Sequence, residues 1–350
     1  MSRYYSIEIG GTTPQATPVP GGSTTPSLSA TFTNMYGGKW DPGAPMIDLD
    51  IQASSMDQAF GLAATVTIWG VSLKQIAQAS NFNGSSIIIR AGMQNGLPLA
   101  TAAVNNNQQG IILTGQVFSA FGNYIGVNQS LILQCSVTGL LTQANPGNIV
   151  FNWTKGQQMG IAIYNTLHAA YPNAVIQGYQ SISQKLVQGQ DEPSTYDTIN
   201  QFSTYITNKS QAIIGGSYSG VSIYPNGLGF QVFDNSNTTA PVTAIKFQDM
   251  IGQITWLGIN QVSFSTVLRA DLTVGSNVSF PPVASFQTTT TTNSYAAFRN
   301  SATFSGTWII QYVRHVGNNR APDATGWIST YQAYAVGADQ LVTSTGNTSA

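Results

Sequence analysis

From Met46 the chain alternates, with Ile47, Leu49 and Ile51 apolar and Asp48, Asp50 and Gln52 polar. Successive strand side chains point to opposite faces, so this pattern predicts a half-buried strand. Residues 64–69, rich in β-branched side chains, predict a second, and residues 86–90 a third around Ile87-Ile88-Ile89. Residues 110–118 and 130–137 predict two more; in the latter, Leu131, Leu133, Cys135 and Val137 share one face. Cys135 there reads as a small core residue. Strands joined by loops such as Asn105-Asn106-Asn107-Gln108-Gln109 indicate a barrel or sandwich.

The period then changes. Between residues 156 and 171, Met159, Ala162, Ile163, Leu167 and Ala170 recur at helical spacing, and Pro172 stops the helix. His168 falls opposite that apolar face, beside solvent. A second helix is expected to start near Ser194, with Asp197 as a capping-box variant and Ile199, Phe202 and Ile206 as its buried stripe. Short strands at 220–224 and 229–233 follow, with Pro225-Asn226-Gly227 turning between them. From Pro241 the pattern returns to strands, at 243–247, 261–268, 277–280, 303–313 and 326–335. Residues 10–30, punctuated by Pro14 and Pro20-Gly21-Gly22, read as a loop or arm. Gln287 and the threonines at 288–292 form a polar tract, read as a loop. The expected class is therefore α+β and β-rich: β-rich regions at 1–150 and 239–350 flank a small α+β region at 151–238. No sequence repeat links the two β-rich regions.

Composition narrows the function. Of 350 residues only 7% are charged, 12 Lys+Arg and 13 Asp+Glu, with a net charge of −1; about 25% is usual. Twelve scattered basic residues do not make a nucleic-acid interface, which needs clustered cations. A chain that is 42% hydrophobic is not charge-driven disorder. No apolar run is long enough to span a membrane, so no membrane insertion is expected, and the first residues lack the apolar core of a secretion signal. The length suggests two or three domains of roughly 150 residues. One cysteine excludes an internal disulfide framework and a Cys-only zinc site. N-x-S/T triplets such as Asn152-Trp153-Thr154 read as by-products of an Asn/Ser/Thr-rich chain. Near-zero net charge favours association, and interface cores are depleted in charge. An assembled protein is the expectation. The shortage is concentrated, because residues 91–154 and 272–298 carry no charge at all.

Candidate chemistry is sparse. The histidines are His168 and His315, the glutamates Glu8 and Glu192. No zinc-protease, nucleophile-elbow, dinucleotide, phosphate-loop or Cys-pair motif occurs. Asp191-Glu192 is the one adjacent acidic pair. Sugar hydrolysis needs two carboxylates facing each other at about 5–9.5 Å, so this pair is read as placement near a helix N-terminus. Asp48 and Asp50 share a strand face and could hold a cation; they are read as its solvated or interface face. Arg314-His315, with Arg320 beyond Gly317-Asn318-Asn319, is either an anion or polar recognition site or a polar strand end beside a turn. No catalytic, cofactor-binding or metal-binding residue is assigned, and no cofactor.

Taken in order, the strand texts resemble a known family. Ala64-Thr65-Val66-Thr67-Ile68-Trp69-Gly70-Val71 is followed by Ile87-Ile88-Ile89-Arg90-Ala91-Gly92, then Ile111-Ile112-Leu113-Thr114-Gly115-Gln116-Val117, then Leu131-Ile132-Leu133-Gln134-Cys135. This order resembles the first barrel of baseplate hub proteins of tailed bacteriophages. Phe151-Asn152-Trp153-Thr154-Lys155-Gly156 is similar to the start of that family's small α/β insert. Residues 268–278 resemble its second-barrel strand pair. Phe304 to Trp308, Val313-Arg314-His315-Val316-Gly317 with Arg320, and Trp327-Ile328-Ser329-Thr330 resemble its closing strands. The likeness runs from about residue 40 to 336.

The resemblance implies two tail-tube-like β-barrel domains, 1–150 with the Pro/Gly-rich arm and 239–350 with a C-terminal tail, around the insert at 151–238. It implies a homotrimer in the virion, at the phage tail baseplate, made in the host bacterial cytoplasm. Its partners would be the tail tube protein, the spike protein, other baseplate proteins and the tape-measure protein, with DNA passing through the lumen without specific binding. The chain would join a sixfold tube to a threefold cell-puncturing spike and would not be an enzyme. Arg314, His315 and Arg320 are the candidate inter-subunit or inter-domain contacts. Two alternatives stay open: another β-rich tail-tip ring protein, distal tail or tube-like, and a tail-associated cell-wall hydrolase. A carbohydrate-binding module using the Trp residues is a further one.

Overall fold

A computed structural model describes residues 3–10, 29–37, 39–54, 62–93, 108–136, 148–216, 218–226, 229–258, 260–281, 304 and 306–337. The first region contains β1 (Arg3–Ile9), β2 (Ala30–Thr33), β3 (Met35–Tyr36), β4 (Lys39–Trp40), β5 (Met46–Ser54), β6 (Leu62–Trp69), the short helix α1 (Leu73–Ala77), β7 (Ser86–Met93), β8 (Gly110–Ile125) and β9 (Asn128–Ser136). The middle region contains β10 (Ile149–Trp153), α2 (Met159–Ala170), β11 (Val175–Gln177), β12 (Glu192–Tyr196), α3 (Ile199–Ile214), β13 (Ser222–Asn226) and β14 (Gly229–Phe233). The last region contains β15 (Val242–Ala244), β16 (Thr255–Gly258), β17 (Gln261–Val267), β18 (Asn277–Ser279), β19 (Thr307–Asn318) and β20 (Trp327–Ala335).

The fold is β-rich α+β. One 13-stranded sheet runs in the order β16-β17-β20-β19-β5-β6-β9-β8-β7-β1-β2, with β15 and β18 attached beside β19. The first and last regions therefore share a sheet, joined where β5 pairs antiparallel with β19. Their cores remain distinct. One gathers Ile7, Ile47, Val66, Phe82, Ile89 and Leu133, the other Val262, Phe264, Val278, Trp308, Ile310 and Tyr331. The middle region has its own core of Phe151, Trp153, Ile163, Leu167, Phe202 and Ile223, between α2, α3 and two small sheets.

Strand alternation in β5 is realised residue by residue: Ile47, Leu49 and Ile51 are buried and Asp48, Asp50 and Gln52 half-buried. Cys135 is buried, and burial pushes its thiol up to about 12. Two strands differ from expectation. β8 continues past residue 118 to Ile125, because β9 pairs with it as far as Ile125–Asn128. β1 has the buried pattern of a central strand and pairs with both β2 and β7; its short polar-flanked text carries no such signal.

The start of the second helix is corrected. Ser194 lies within β12, opposite Phe151 of β10. The helix begins at Ile199 with Thr198 as N-cap, whose hydroxyl accepts the Gln201 N–H. Long-range pairing with β10 overrides the local capping signal at Ser194. Pro225 and Asn226 belong to β13 rather than to a turn, and Gly227 lies outside the described residues, as do residues 11–28 of the arm, Asn105 to Asn107, Val137 and the threonine tract at 288–292.

Candidate functional site

The seam between β5 and β19 brings Asp48, Asp50, Arg314 and Asn318 together. Register places Arg314 opposite Gln52, Val316 opposite Asp50 and Asn318 opposite Asp48. The Arg314 guanidinium reaches diagonally to Asp50, donating from Nε to Oδ1 at 2.9 Å and from Nη2 to Oδ2 at 2.6 Å. This parallel fork is the strong geometry for an arginine–carboxylate pair, and the hydrogen bond to Asp50 raises the Arg314 pKa. Both side chains are about two-fifths exposed, at 44% and 40%. Asp48 accepts from Trp69 Nε1 at 2.6 Å and from Asn318 Nδ2 at 2.6 Å. Protein donors thus occupy all four carboxylate oxygens of the acidic pair. Among the described residues no set of three His, Cys, Asp or Glu side chains gathers as a metal site.

Past the end of β19 the loop closes back on the start of β5. Ile47 N donates to Asn319 Oδ1 at 2.9 Å, and Arg320 Nη2 donates to the Ala44 carbonyl at 2.7 Å. Arg3 is buried and donates to the carbonyls of Asn318 and Asp323, each at 2.5 Å. Beneath the seam, Gly317 admits the ring of Trp327: a Cβ there would lie 2.8 Å from Trp327 and 2.9 Å from Leu49.

Of the three residues singled out by sequence, Arg314 and Arg320 bind residues 50 and 44 of the same chain, across the seam. His315 is turned the other way. It is 4% exposed, with Nδ1 2.7 Å from Ser329 Oγ on β20, and burial lowers its pKa to about 4. The three do not form one cluster. Asp48, Asn319, Arg3 and Trp327 carry as much of the seam; Arg3 drew no notice in the sequence, and Asp48, Asn319 and Trp327 stood out there for other reasons than the partners they have here. In the sequence Asp48 is legible as a polar position that shares a strand face with Asp50; its partners lie 21 and 270 residues away.

The sheet face that bears Arg314 and Asp50 is polar across many strands. Ser265, Thr330, Arg314 and Gln52 are successive partners across β17, β20, β19 and β5. Asp50, Thr65, Gln134 and Ser119 continue the series across β5, β6, β9 and β8. Two cations on it have anion partners, Arg314 with Asp50 and Arg90 with Glu8. A shallow depression over the seam is lined by Asp48, Asp50, Thr65, Thr67, Gly317 and Asn318. Along β8 and into the β8–β9 turn the character changes to exposed apolar side chains: Phe118, at the bulge in the body of β8, is 73% exposed, and at the turn Ile125 is 74% and Val127 93% exposed, with Tyr124 before them.

The acidic pair at 191–192 does not sit at a helix N-terminus, which corrects the sequence expectation. Glu192 opens β12 and accepts from Lys209 Nζ at 2.8 Å, from Gln188 Nε2 at 2.8 Å and from the Tyr205 hydroxyl. The Lys209 hydrogen bond, then those of Tyr205 and Gln188, hold its carboxyl at about 2. Asp191 Oδ1 accepts the Lys155 N–H at 2.7 Å, so the neighbours face different partners. Three of the tryptophans, Trp153, Trp308 and Trp327, are fully buried core residues. Among the described residues no helix is long and apolar enough to cross a membrane.

No protein-family model matches the chain, and no curated protein matches it in sequence. Two solved structures are similar along nearly their whole length. The tail protein from Neisseria meningitidis MC58 has 10% identity and a TM-score of 0.49, covering 95% of this chain and 97% of that chain. The 43 kDa tail protein of prophage MuSo2 from Shewanella oneidensis has 9% identity and a TM-score of 0.48, covering 96% of this chain and 98% of that chain. At these identities neither assigns a role to a residue here.

Proposed function

We propose that this chain is a structural protein of a phage tail, the trimeric baseplate hub that joins the sixfold tail tube to the threefold spike around the DNA channel. The observation that carries the reading is the β5–β19 pairing, which sets two β-rich regions with separate cores side by side in one sheet. Three such chains around an axis present six β-rich regions, so a threefold object can meet a sixfold one. The polar sheet face supports a channel lining. Among the described residues Arg314 and Arg90 on this face are each paired with a carboxylate, so a passing phosphate backbone meets no cation cluster there to bind. The exposed apolar tip of the β8–β9 hairpin supports contact with a neighbouring subunit or tail protein, since patches of this kind mark association surfaces. The middle region, with its own core, then lies outside the ring against other baseplate proteins. In this reading the chain does no covalent chemistry and its contribution is geometric.

The test is the assembly state of the full chain and its symmetry in a tail-tip reconstruction. A trimer by sedimentation and threefold density at the junction of tube and spike are expected. A hexamer with sixfold density would replace the hub by a distal-tail or tube-like ring protein. A monomer at all concentrations, absent from purified tails, would sink both. Clearing of peptidoglycan in a gel, abolished by Glu192→Gln, would establish a hydrolase instead.

A further inference from the structure

The middle region carries a built surface that the hub reading leaves unused. Tyr164 and His168, four residues apart on α2, stack with centroids 5.6 Å apart and planes 8° from parallel. Tyr179 also packs on Tyr164, with centroids 4.6 Å apart and planes 30° from parallel. The rings form a row at the protein surface, with Tyr164 and Tyr179 half-buried against the middle core and His168 exposed. The loop carrying Tyr179 is held against α2 by a close approach at Gly160, where a Cβ would meet the Tyr179 carbonyl at 2.1 Å. Ile182 of the same loop is buried in the middle core, and Ser183 N donates to Asp234 Oδ2 at 2.8 Å.

Amides line the row. Gln180 Nε2 donates to the Tyr179 hydroxyl at 3.1 Å. Gln184 Nε2 donates to the carbonyls of Gln180 at 3.3 Å and Ile182 at 3.1 Å, and its Oε1 accepts from Gln158. Gln158 is the N-cap residue of α2, yet its side chain makes no capping bond and is directed to Gln184 instead. A primary amide offers two N–H donors and a two-lone-pair acceptor. Among the described residues, Gln158 and Gln180 each have one N–H and the carbonyl oxygen left. These six side chains include no carboxylate, ammonium or guanidinium.

We propose that this surface binds a neutral saccharide built of pyranose rings with equatorial substituents. Such a ring presents a flat C–H face, which an electron-rich aromatic face attracts, and a rim of hydroxyl and acetamido groups, which the amides can pair as donor and acceptor. The six side chains themselves carry no carboxylate, ammonium or guanidinium, and the charged side chain adjoining them is the exposed Lys185, next to Gln184. Bracing of the loop reduces the ordering cost of binding. The inference does not rest on the hub reading, because it concerns the free chain.

The experiment is titration of the full-length protein with the β-1,4-linked tetramer of N-acetylglucosamine, followed by NMR shifts and calorimetry. Saturable binding on the order of 1 mM is expected, about −4 kcal/mol, with the perturbed amides confined to residues 158–168 and 178–185. His168→Ala and Gln180→Ala alter surface side chains, and each is expected to weaken binding at least about fivefold while the melting temperature stays unchanged. No saturable response, a response spread over the sheet, or one untouched by both substitutions would overturn the proposal. So would preferential binding of an uncharged proline-rich peptide, which would make the surface a peptide site. The oligomeric state is read separately, so a failure here leaves the hub reading standing.

Discussion

The indole N–H of Trp327 donates to the carbonyl of Gly92 at 3.2 Å, across 235 residues of chain. Trp327 begins β20 in the last region but packs in the core of the first, with Leu268. It is a structural bolt between the two halves of the sheet. Trp327→Ala is expected to cost about 3–5 kcal/mol through cavity formation. Trp327→Phe keeps a ring but strands the Gly92 carbonyl, costing about 1–3 kcal/mol. Denaturant unfolding measures both; equal stability of the Phe variant and the parent would contradict the hydrogen bond.

Gly317 is needed for that packing. Adding a methyl group at this position forces Trp327 and Leu49 apart, since atoms of both lie under 3.0 Å from where a Cβ would stand. Gly317→Ala is expected to cost about 1–3 kcal/mol as overpacking. Adding Leu49→Ala should cost less in the Gly317→Ala background than in the parent. Additive costs would show that the two side chains do not compete for the same space.

The Arg314–Asp50 fork is exposed enough to be screened. A double-mutant cycle with Arg314→Ala and Asp50→Ala is expected to give a coupling of about 0.2–1 kcal/mol. Raising the salt to about 1 M should remove most of it. A coupling well above this range would mean that the seam face is covered in solution, as in an assembly, rather than open to solvent.

His315 predicts acid sensitivity. Its folded pKa, about 4, lies below the ordinary 6.5, so the unfolded chain takes up a proton first as the pH falls. Stability is complete above about 6.5 and declines toward about 4. His315→Gln is expected to flatten the stability profile across that window, whatever its effect at neutral pH. An unchanged slope would show that another group titrates there.

Glu192 acts in a lower window. Its carboxyl is held down, from 4.5 to about 2, by Lys209, Tyr205 and Gln188. The stability it contributes is present above about 4.5 and is lost as the pH falls through about 2. NMR titration of the Glu192 carboxyl should give the low midpoint, and Lys209→Met should move it upward. A midpoint near 4.5 in the parent would remove the network from the account.

Much of the local structure was legible because it is written in short-range periodicity. The alternation from Ile47 to Gln52 and the helical spacing from Met159 to Ala170 need no partner to be recognised. The start of α3 was misplaced for the opposite reason. Ser194 and Asp197 resemble a cap, but Ser194 pairs with Phe151 of β10, a partner far back in the chain. β1 was missed because its strand character depends on β2 and β7 on either side.

The candidate site divides in the same way. Arg314 and Asp50 could each be seen on a strand face, but which strand meets which is a matter of sheet order, and the two residues are 264 positions apart. By itself the sequence determined the class of the elements, the two charge-free stretches at 91–154 and 272–298 and the apolar faces that had to be buried. Only the tertiary structure decided that the first and last regions share one sheet, that Arg314 is matched by Asp50, and that His315 faces inward to Ser329. The reason is physical: side-chain periodicity is a property of neighbouring residues, whereas strand pairing and burial depend on which distant surfaces exclude water from each other.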